Sequence, residues 1–422
     1  MKVSVIVIGD ELLLGQVVDT NSGEIARHIA PYGWEVNDVQ AVGDDASEIR
    51  RAIDRAFELS DVVLTTGGLG PTKDDITKSV LRDYFGGELK EDAEVMANVM
   101  DVVGRRGFKI NKLTAAQAIV PTSCRVIQNR VGTAPIMWFE KDGKVLVAMP
   151  GVPFETREMF QSEVFPQLRR KFNSDVDIEH AVLMVTDYTE SGLAEKIAPW
   201  EEALPDYLHL AYLPKPGLIR LRIDGVHHDK DFISGGVRRA ASELLDMLGD
   251  AVIATEDLTP AQILLKQCRQ KGLSLATAES CTGGNIAHEL TLVPGSSDVF
   301  VGSVVSYSNE VKMSLLGVNP RTLDENGAVS IPVVKEMAVG VLRATGAKVA
   351  VATSGIAGPG GGSEDKPVGT VCMAVAMTVD GKTEVFVESR HFPGNRGRVI
   401  DASTTRALID AIKLVRSIQP TR

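Results

Sequence analysis

No stretch of the 422-residue chain approaches 18 consecutive apolar residues, which excludes a conventional membrane-spanning helix. Cysteine is scarce. Its four thiols, Cys124, Cys268, Cys281 and Cys372, form neither a CxxC pair nor a zinc-type spacing. That excludes a disulfide framework and a structural zinc site, and reduced thiols in a cytoplasmic protein are expected. Aromatic residues make up 5% of the chain, and 45 Lys and Arg face 56 Asp and Glu, for a net charge of −11. With no basic, aromatic-interleaved patch, direct nucleic-acid binding is not expected. A small anionic ligand is still compatible, because a few local cations and helix N-termini outweigh a diffuse negative field. The opening MKVSVIVIGDELLLG is broken by Asp10 and Glu11 and lacks a basic leader and a cleavage motif. It reads as a buried first strand, not a signal peptide.

What is present is alternation. Over 1–172, strands at Val3–Ile8, Trp34–Val42, Asp61–Thr66 and Lys144–Ala148 alternate with helices at Thr20–Ile29, Ala46–Leu59 and Phe154–Lys171. Such βαβ rhythm predicts a mostly parallel sheet covered on both faces. Over 175–255 the rhythm changes to a small α+β module, with a strand pair at Leu208–Tyr212 and Leu218–Ile223 and a helix at Asp231–Leu248. It holds no catalytic-looking cluster and is expected to link or to dimerise. After a linker near Glu256–Pro260, residues 260–420 return to α/β alternation. The fold class expected is therefore α/β, two three-layer α/β domains joined by a small α+β module.

The last domain carries most of the chemistry-bearing motifs. TAESCTGGNIA (277–287) places Ser280 where a strand gives way to a helix expected from about Thr282, so that its unpaired N–H groups would stabilise an oxyanion. The ordinary role of such a serine is a helix cap. VPGSSDVF (293–300) holds Ser296 and Ser297 in a turn, and SYSNEVKMSLLGV (306–318) holds Tyr307 and Lys312. A lysine on a first helical turn is ordinarily solvated. SGIAGPGGGSEDKPVGT (354–370) is a glycine loop too irregular for a dinucleotide or P-loop fingerprint, and PGNRGR (393–398) puts Arg396 at the start of the last helix.

Together with GAVS (327–330), these segments resemble the C-terminal domain of the CinA family, which also occurs as a stand-alone nicotinamide-nucleotide amidase. The likeness spans 261–418. It implies conversion of nicotinamide mononucleotide to nicotinate mononucleotide and ammonia, with catalytic roles for Ser280, Ser297, Tyr307 and Lys312. Substrate-binding roles fall on Arg396, Thr282, Gly283, Gly358 and Gly360, and no cofactor is implied. The chemistry agrees, since amide hydrolysis needs a nucleophile, a base and an oxyanion site, and neither His288 nor His391 lies in a motif. A Ser–Lys pair is the simplest remaining choice, with Ser280 as nucleophile and Ser297 as its rival. Lysine serves as a base when its pKa falls, and the substrate pyridinium with Arg396 is expected to lower it. Cys281 lacks a histidine partner and is not expected to attack.

In the first domain, VIGDELLLGQVVDTN (7–21), LTTGGLGPTKDDITKS (64–79), NRVGTAP (129–135) and MPGVPFE (149–155) are all expected at the carboxyl ends of strands, where open parallel sheets bind ligands. The set resembles the molybdopterin-binding fold of MoaB and MogA, in the version fused to CinA proteins. That likeness implies ADP-ribose pyrophosphatase activity with a divalent metal (Mn, Co or Mg), aided by K+. Gly67, Gly68 and Gly70 would admit phosphates, and Asp10, Glu11, Asp74 and Asp75 would hold the metal. Acids at helix N-termini also serve simply to complement the helix dipole.

Both implied substrates are products of NAD breakdown, so a pyridine-nucleotide recycling hydrolase, a homodimer by the same resemblance, is the joint expectation. Two alternatives belong to other classes: a molybdopterin-related protein acting through the first domain, and a non-enzymatic adaptor in competence or DNA damage.

Overall fold

The computed structural model describes residues 1–72, 74–172 and 177–417. It divides into two compact units, Met1–Glu179 with Val226–Ile233, and His180–Gly225 with the chain from Ser234 onward.

The first unit is built on a six-stranded sheet ordered Glu35–Val42, Lys2–Ile8, Val62–Thr66, Lys144–Met149, Ile136–Lys141 and Arg125–Ile127. The first four strands run parallel and the last two antiparallel. Lys2–Ile8 and Val62–Thr66 are buried almost throughout, as strands covered on both faces must be. One face packs Ile25, Ile29 and Phe165, the other Ile49, Ile53 and Leu81. The chain leaves the first strand toward one neighbour and returns on its other side, so the Gly9 and Gly67 turns meet at a topological switch point.

The helix expected over Phe154–Lys171 is interrupted. It runs Pro153–Met159, widens to a π turn over Phe160–Val164, and resumes at Phe165–Lys171. Pro166 has no N–H to donate to the preceding turn, and the wider turn accommodates it.

The middle segment forms a four-stranded sheet ordered Leu208–Lys215, Leu218–His227, Asp177–Val185 and Val252–Ala254. Its Met184, Leu218 and Ile253 share a hydrophobic core with Leu264, Ile409 and Ile412 of the C-terminal domain. Arg406 reinforces this junction by donating to Asp187 at 2.8 Å and to Glu388 at 2.9 Å. Of this segment, His180–Gly225 and the residues from Ser234 pack within the second unit.

The C-terminal sheet is ordered Phe300–Val305, Leu275–Glu279, Val349–Gly355, Thr370–Val379 and Lys382–His391, with the first three parallel and the rest antiparallel. Helices Pro260–Gln270 and Arg396–Ser417 cover one face and Ile331–Thr345 the other. Among the described residues, no helix is long and apolar enough to cross a membrane.

Candidate functional site

At the carboxyl end of the central C-terminal strands, Ser280, Lys312, Tyr307, Arg396, Ser354 and Val329 line a cavity of about 240 Å³. Ser280 follows directly on the strand Leu275–Glu279, and its amide donates to the Thr353 carbonyl at 3.0 Å. The helix begins later than expected, at Asn285, because Gly283 and Gly284 adopt φ of 62° and 100°, a region that favours glycine.

Glu279, which the motif reading passed over, closes this turn. Its carboxylate is fully buried and accepts five hydrogen bonds: the amides of Gly284, Ile286 and Ala287 at 3.0, 3.0 and 2.8 Å, and the hydroxyls of Thr282 and Thr277 at 2.8 and 3.1 Å. The helix N-terminus expected to face an oxyanion is therefore occupied by a protein carboxylate. Thr282 is also absorbed here, its hydroxyl lying between Glu279 and Thr353. Neither Thr282 nor Gly283 is among the cavity's described lining residues. The available signal was a carboxylate five residues ahead of a Gly-Gly helix start.

Lys312 lies on the helix Asn309–Leu316, capped by Ser308 and ended by Gly317. It is 1% exposed, against the ordinary expectation for a lysine on a first helical turn. Its Nζ donates to Ser280 Oγ at 3.0 Å and to the carbonyls of Ser306 and Tyr307 at 2.8 and 3.4 Å. Burial holds its pKa below the ordinary 10.5, against the smaller opposing pull of Cys281 and Glu310. The desolvated position, not a neighbouring arginine, is the first cause. Spacing held the clue: Lys312 and Leu316 are four residues apart on one buried helical face. That helix is seated closely, because Gly340 on Ile331–Thr345 has no side chain and a Cβ there would lie 2.0 Å from the Leu316 carbonyl oxygen.

Arg396 reaches across the cavity mouth, donating to the Gly358 carbonyl at 2.7 Å and to the hydroxyl of exposed Tyr307 at 2.8 Å. Gly360 is exposed on the glycine loop outside the described lining. Cys281 is buried in the wall, and burial pushes its thiol up to about 12, which disarms it as a nucleophile. Ser297 is not brought to this cavity. It is exposed on the turn Ser296–Asp298 before the strand Phe300–Val305, whereas Ser280 follows the carboxyl end of the parallel neighbouring strand. At about 3.3 Å per residue the two serines of this chain are separated by roughly 20 Å.

In the first unit, a cleft of about 490 Å³ opens at the switch point. The Gly67, Gly68 and Gly70 turn lines it, but the missing side chains are filled by the protein itself. A Cβ on these glycines would lie 2.0 Å from the Ile8 carbonyl oxygen, 2.1 Å from Thr77 Oγ1 and 2.4 Å from Asp75 Oδ2. Asp75 holds the turn by accepting the Gly70 and Thr72 amides at 2.7 and 2.9 Å. Asp10 and Asp44 exchange amide-to-carboxylate bonds at 3.1 and 3.2 Å, and Glu11 folds beneath Gly9. Asp44 was missed by motif reading. Burial raises its pKa, and the charges of Asp10, Glu11 and Asp75 add to that.

Among the described residues, no three Asp, Glu, His or Cys side chains converge so as to hold a metal ion. The expected ligand set Asp10, Glu11, Asp74 and Asp75 does not fit a resident metal: Asp75 and Asp10 are engaged by backbone amides, and Asp74 is exposed. The NRVGTAP and MPGVPFE loops do meet, with Asn129 Nδ2 donating to Glu155 Oε2 at 2.9 Å.

These features define a two-domain α/β protein whose C-terminal cavity pairs a serine with a buried lysine. Residues 257–415 match the family described as "CinA C-terminal domain", and residues 4–170 match the one described as "Probable molybdopterin binding domain". A CinA-like protein of Flavobacterium psychrophilum is 39% identical over 411 residues, covering 97% of each chain. One of Cytophaga hutchinsonii is 42% identical over 376 residues, 88% of this chain and 89% of that one. The chain belongs to the CinA family. The solved competence/damage inducible protein of Agrobacterium tumefaciens is 37% identical, with a TM-score of 0.35, across 38% of this chain and 100% of its own.

Proposed function

We propose that the C-terminal domain is a serine–lysine amidohydrolase acting on nicotinamide mononucleotide. The observation that carries this reading is the buried Lys312 Nζ, 3.0 Å from Ser280 Oγ. When Lys312 loses its proton the contact reverses, and the serine hydroxyl donates to the nitrogen lone pair. Ser280 Oγ then bonds to the carboxamide carbon while Lys312 takes its proton. The tetrahedral intermediate collapses by breaking its C–N bond, and ammonia leaves with the proton returned by Lys312. Water, deprotonated by the same amine, attacks the resulting ester; the bond from the acyl carbon to Ser280 Oγ breaks, Oγ takes the proton back from Lys312, and nicotinate mononucleotide is released. The pyridinium charge makes the carboxamide carbon more electrophilic, and Arg396 and Tyr307 at the mouth suit the phosphate-bearing end. The test is ammonia release by the full chain beside Ser280→Ala and Lys312→Met. Loss in both folded variants supports the reading, and retained turnover in either defeats it.

A second reading rests on the 490 Å³ cleft at the switch point, which suits a nucleotide such as ADP-ribose. Binding and cleavage of ADP-ribose by the full chain, with and without Mn2+, Co2+ or Mg2+, test it. An intact nucleotide under all four conditions defeats the hydrolase reading.

A further inference from the structure

A hydrogen-bond donor without a partner is built into the wall of the N-terminal cleft. Gln117 lines the cleft and is 2% exposed, yet its Nε2 finds no partner among the described residues. The rest of the residue is held firmly. Lys78 Nζ donates to the Gln117 carbonyl oxygen at 2.8 Å and to Oε1 at 3.4 Å. An ammonium has protons but no lone pair, so it selects the oxygen side of the amide and leaves the NH2 group free. Lys78 is half-buried, and desolvation brings its pKa down to about 8. Two further buried groups in the lining are likewise unsatisfied. Asn21 donates from Nδ2 to the Gly151 carbonyl at 2.9 Å, but its Oδ1 accepts nothing, and Thr66 Oγ1 is also without a partner among the described residues.

Buried polar atoms in folded proteins are rarely left unpaired, so several in one cleft point to a ligand that satisfies them. The charges of the lining narrow its chemistry. The cleft shows the carboxylates of Glu11, Asp19, Asp44, Asp74, Asp75 and Glu155, with no Lys or Arg among its described lining residues. A neutral amide donor suits a neutral acceptor. One free donor and two free hydroxyl or carbonyl oxygens suit a ring nitrogen or carbonyl beside an exocyclic amine.

We infer that Gln117, oriented by Lys78, is a recognition residue of this cleft that donates from Nε2 to an amino-substituted nitrogen heterocycle, the chemistry adenine and a pterin share. The inference rests on the reading of the cleft as a nucleotide site and names the part of the ligand that is read. Lys78 is a positioning residue, acting through Gln117.

Calorimetric titration of the full chain with adenosine, ADP-ribose, a pterin and ribose 5-phosphate tests it, comparing wild type with Gln117→Met, which keeps length and charge but removes the donor. The expected result is about a tenfold loss of affinity for whichever heterocycle binds, the worth of one hydrogen bond between neutral groups. Binding of ribose 5-phosphate is expected to be unchanged. Lys78→Met should give a smaller loss for the same ligand and flatten the dependence of its affinity on pH around 8. Should Gln117→Met fail to fold, Gln117→Glu keeps the oxygen facing Lys78 and carries the same comparison with uncharged adenosine. Equal affinity of wild type and variant for every heterocycle overturns the inference, and leaves the ADP-ribose reading standing if that nucleotide is still cleaved. Gln117-dependent binding of adenosine or a pterin without binding of ADP-ribose upholds the inference and removes the ADP-ribose reading. No binding of any of these ligands overturns both.

Discussion

Glu279 Oε1 accepts the Ala287 amide at 2.8 Å, so the last residue of a central strand caps the helix that follows the Ser280 turn. Ser280 is held between these two fixed points, and its position is set by a side chain that never enters the cavity.

Removing that anchor should therefore cost both stability and turnover. Glu279→Ala leaves three amides and two hydroxyls of the turn without their acceptor, and breaking a buried charged network typically costs about 3–5 kcal/mol. The expected outcome is a clearly lowered melting temperature together with a loss of ammonia release beyond the loss of folded protein. Wild-type stability would remove Glu279 from this role.

Amide hydrolysis should rise with pH as Lys312 loses its proton, over a range below the ordinary lysine pKa of 10.5. Lys312→Arg is expected to be inactive, because a guanidinium does not accept the serine proton. The same burial predicts a stability effect. With the folded pKa lowered, the unfolded chain binds more protons between that value and 10.5, so stability rises with pH across the window. Denaturant titrations at pH 7 to 10 should give a steeper rise for wild type than for Lys312→Met.

Asp410 is expected to work in the opposite direction. Burial pushes its carboxyl up to about 6, although Arg406 Nε lies 2.9 Å from Oδ1. The folded state then binds the extra proton, so this contribution is fully present below about pH 4 and is lost as pH rises through 6. Asp410→Asn should remove that downward slope between pH 4 and 7. An unchanged slope would place the titration elsewhere.

The thiols should resist alkylation in the native protein. Burial pushes Cys124 up to about 11 and Cys268 and Cys281 up to about 12, and raises Cys372 as well. Mass spectrometry after iodoacetamide treatment at pH 8 should find the native chain essentially unmodified and the denatured chain carrying four adducts. Rapid native labelling of Cys281 would reopen a thiol mechanism.

Mn2+ added without a nucleotide should find no tight stoichiometric site, since the N-terminal acids do not converge three at once among the described residues. The paramagnetic resonance signal of free Mn2+ should grow in proportion to the metal added. A one-to-one loss of signal that Asp10→Asn abolishes would restore the acidic set as a metal site.

Periodicity and glycine placement made the layered α/β architecture legible, and the helix Ala46–Leu59 has the bounds its pattern implies. Chain order also placed Ser280 and the GGLG turn at the carboxyl ends of their strands. Local spacing could not say which polar groups would be consumed by the fold. Asp75 looks like a ligand and anchors a turn, Thr282 looks like a contact and supports Glu279, and Glu279 itself carries only the faint signal of an acid ahead of a Gly-Gly helix start. Ser297 shows the limit most clearly. It lies 17 residues after Ser280, but the intervening helix brings the chain back to the start of the parallel neighbouring strand, at the opposite end from Ser280. Lys312 was legible as a candidate, while its burial depended on packing against elements distant in sequence.

Gly340 lines no part of the C-terminal cavity among the described residues, yet it works as a spacer gauge for Lys312. The Leu316 carbonyl rests in the space its absent side chain leaves, and Leu316 lies one helical turn beyond Lys312. A single methyl group there would act as a shim, lifting the helix and carrying the lysine amine away from its serine. Since a misplacement of about 1 Å can cost on the order of a hundredfold in rate, the reach of this dyad is set by clearance between two backbones.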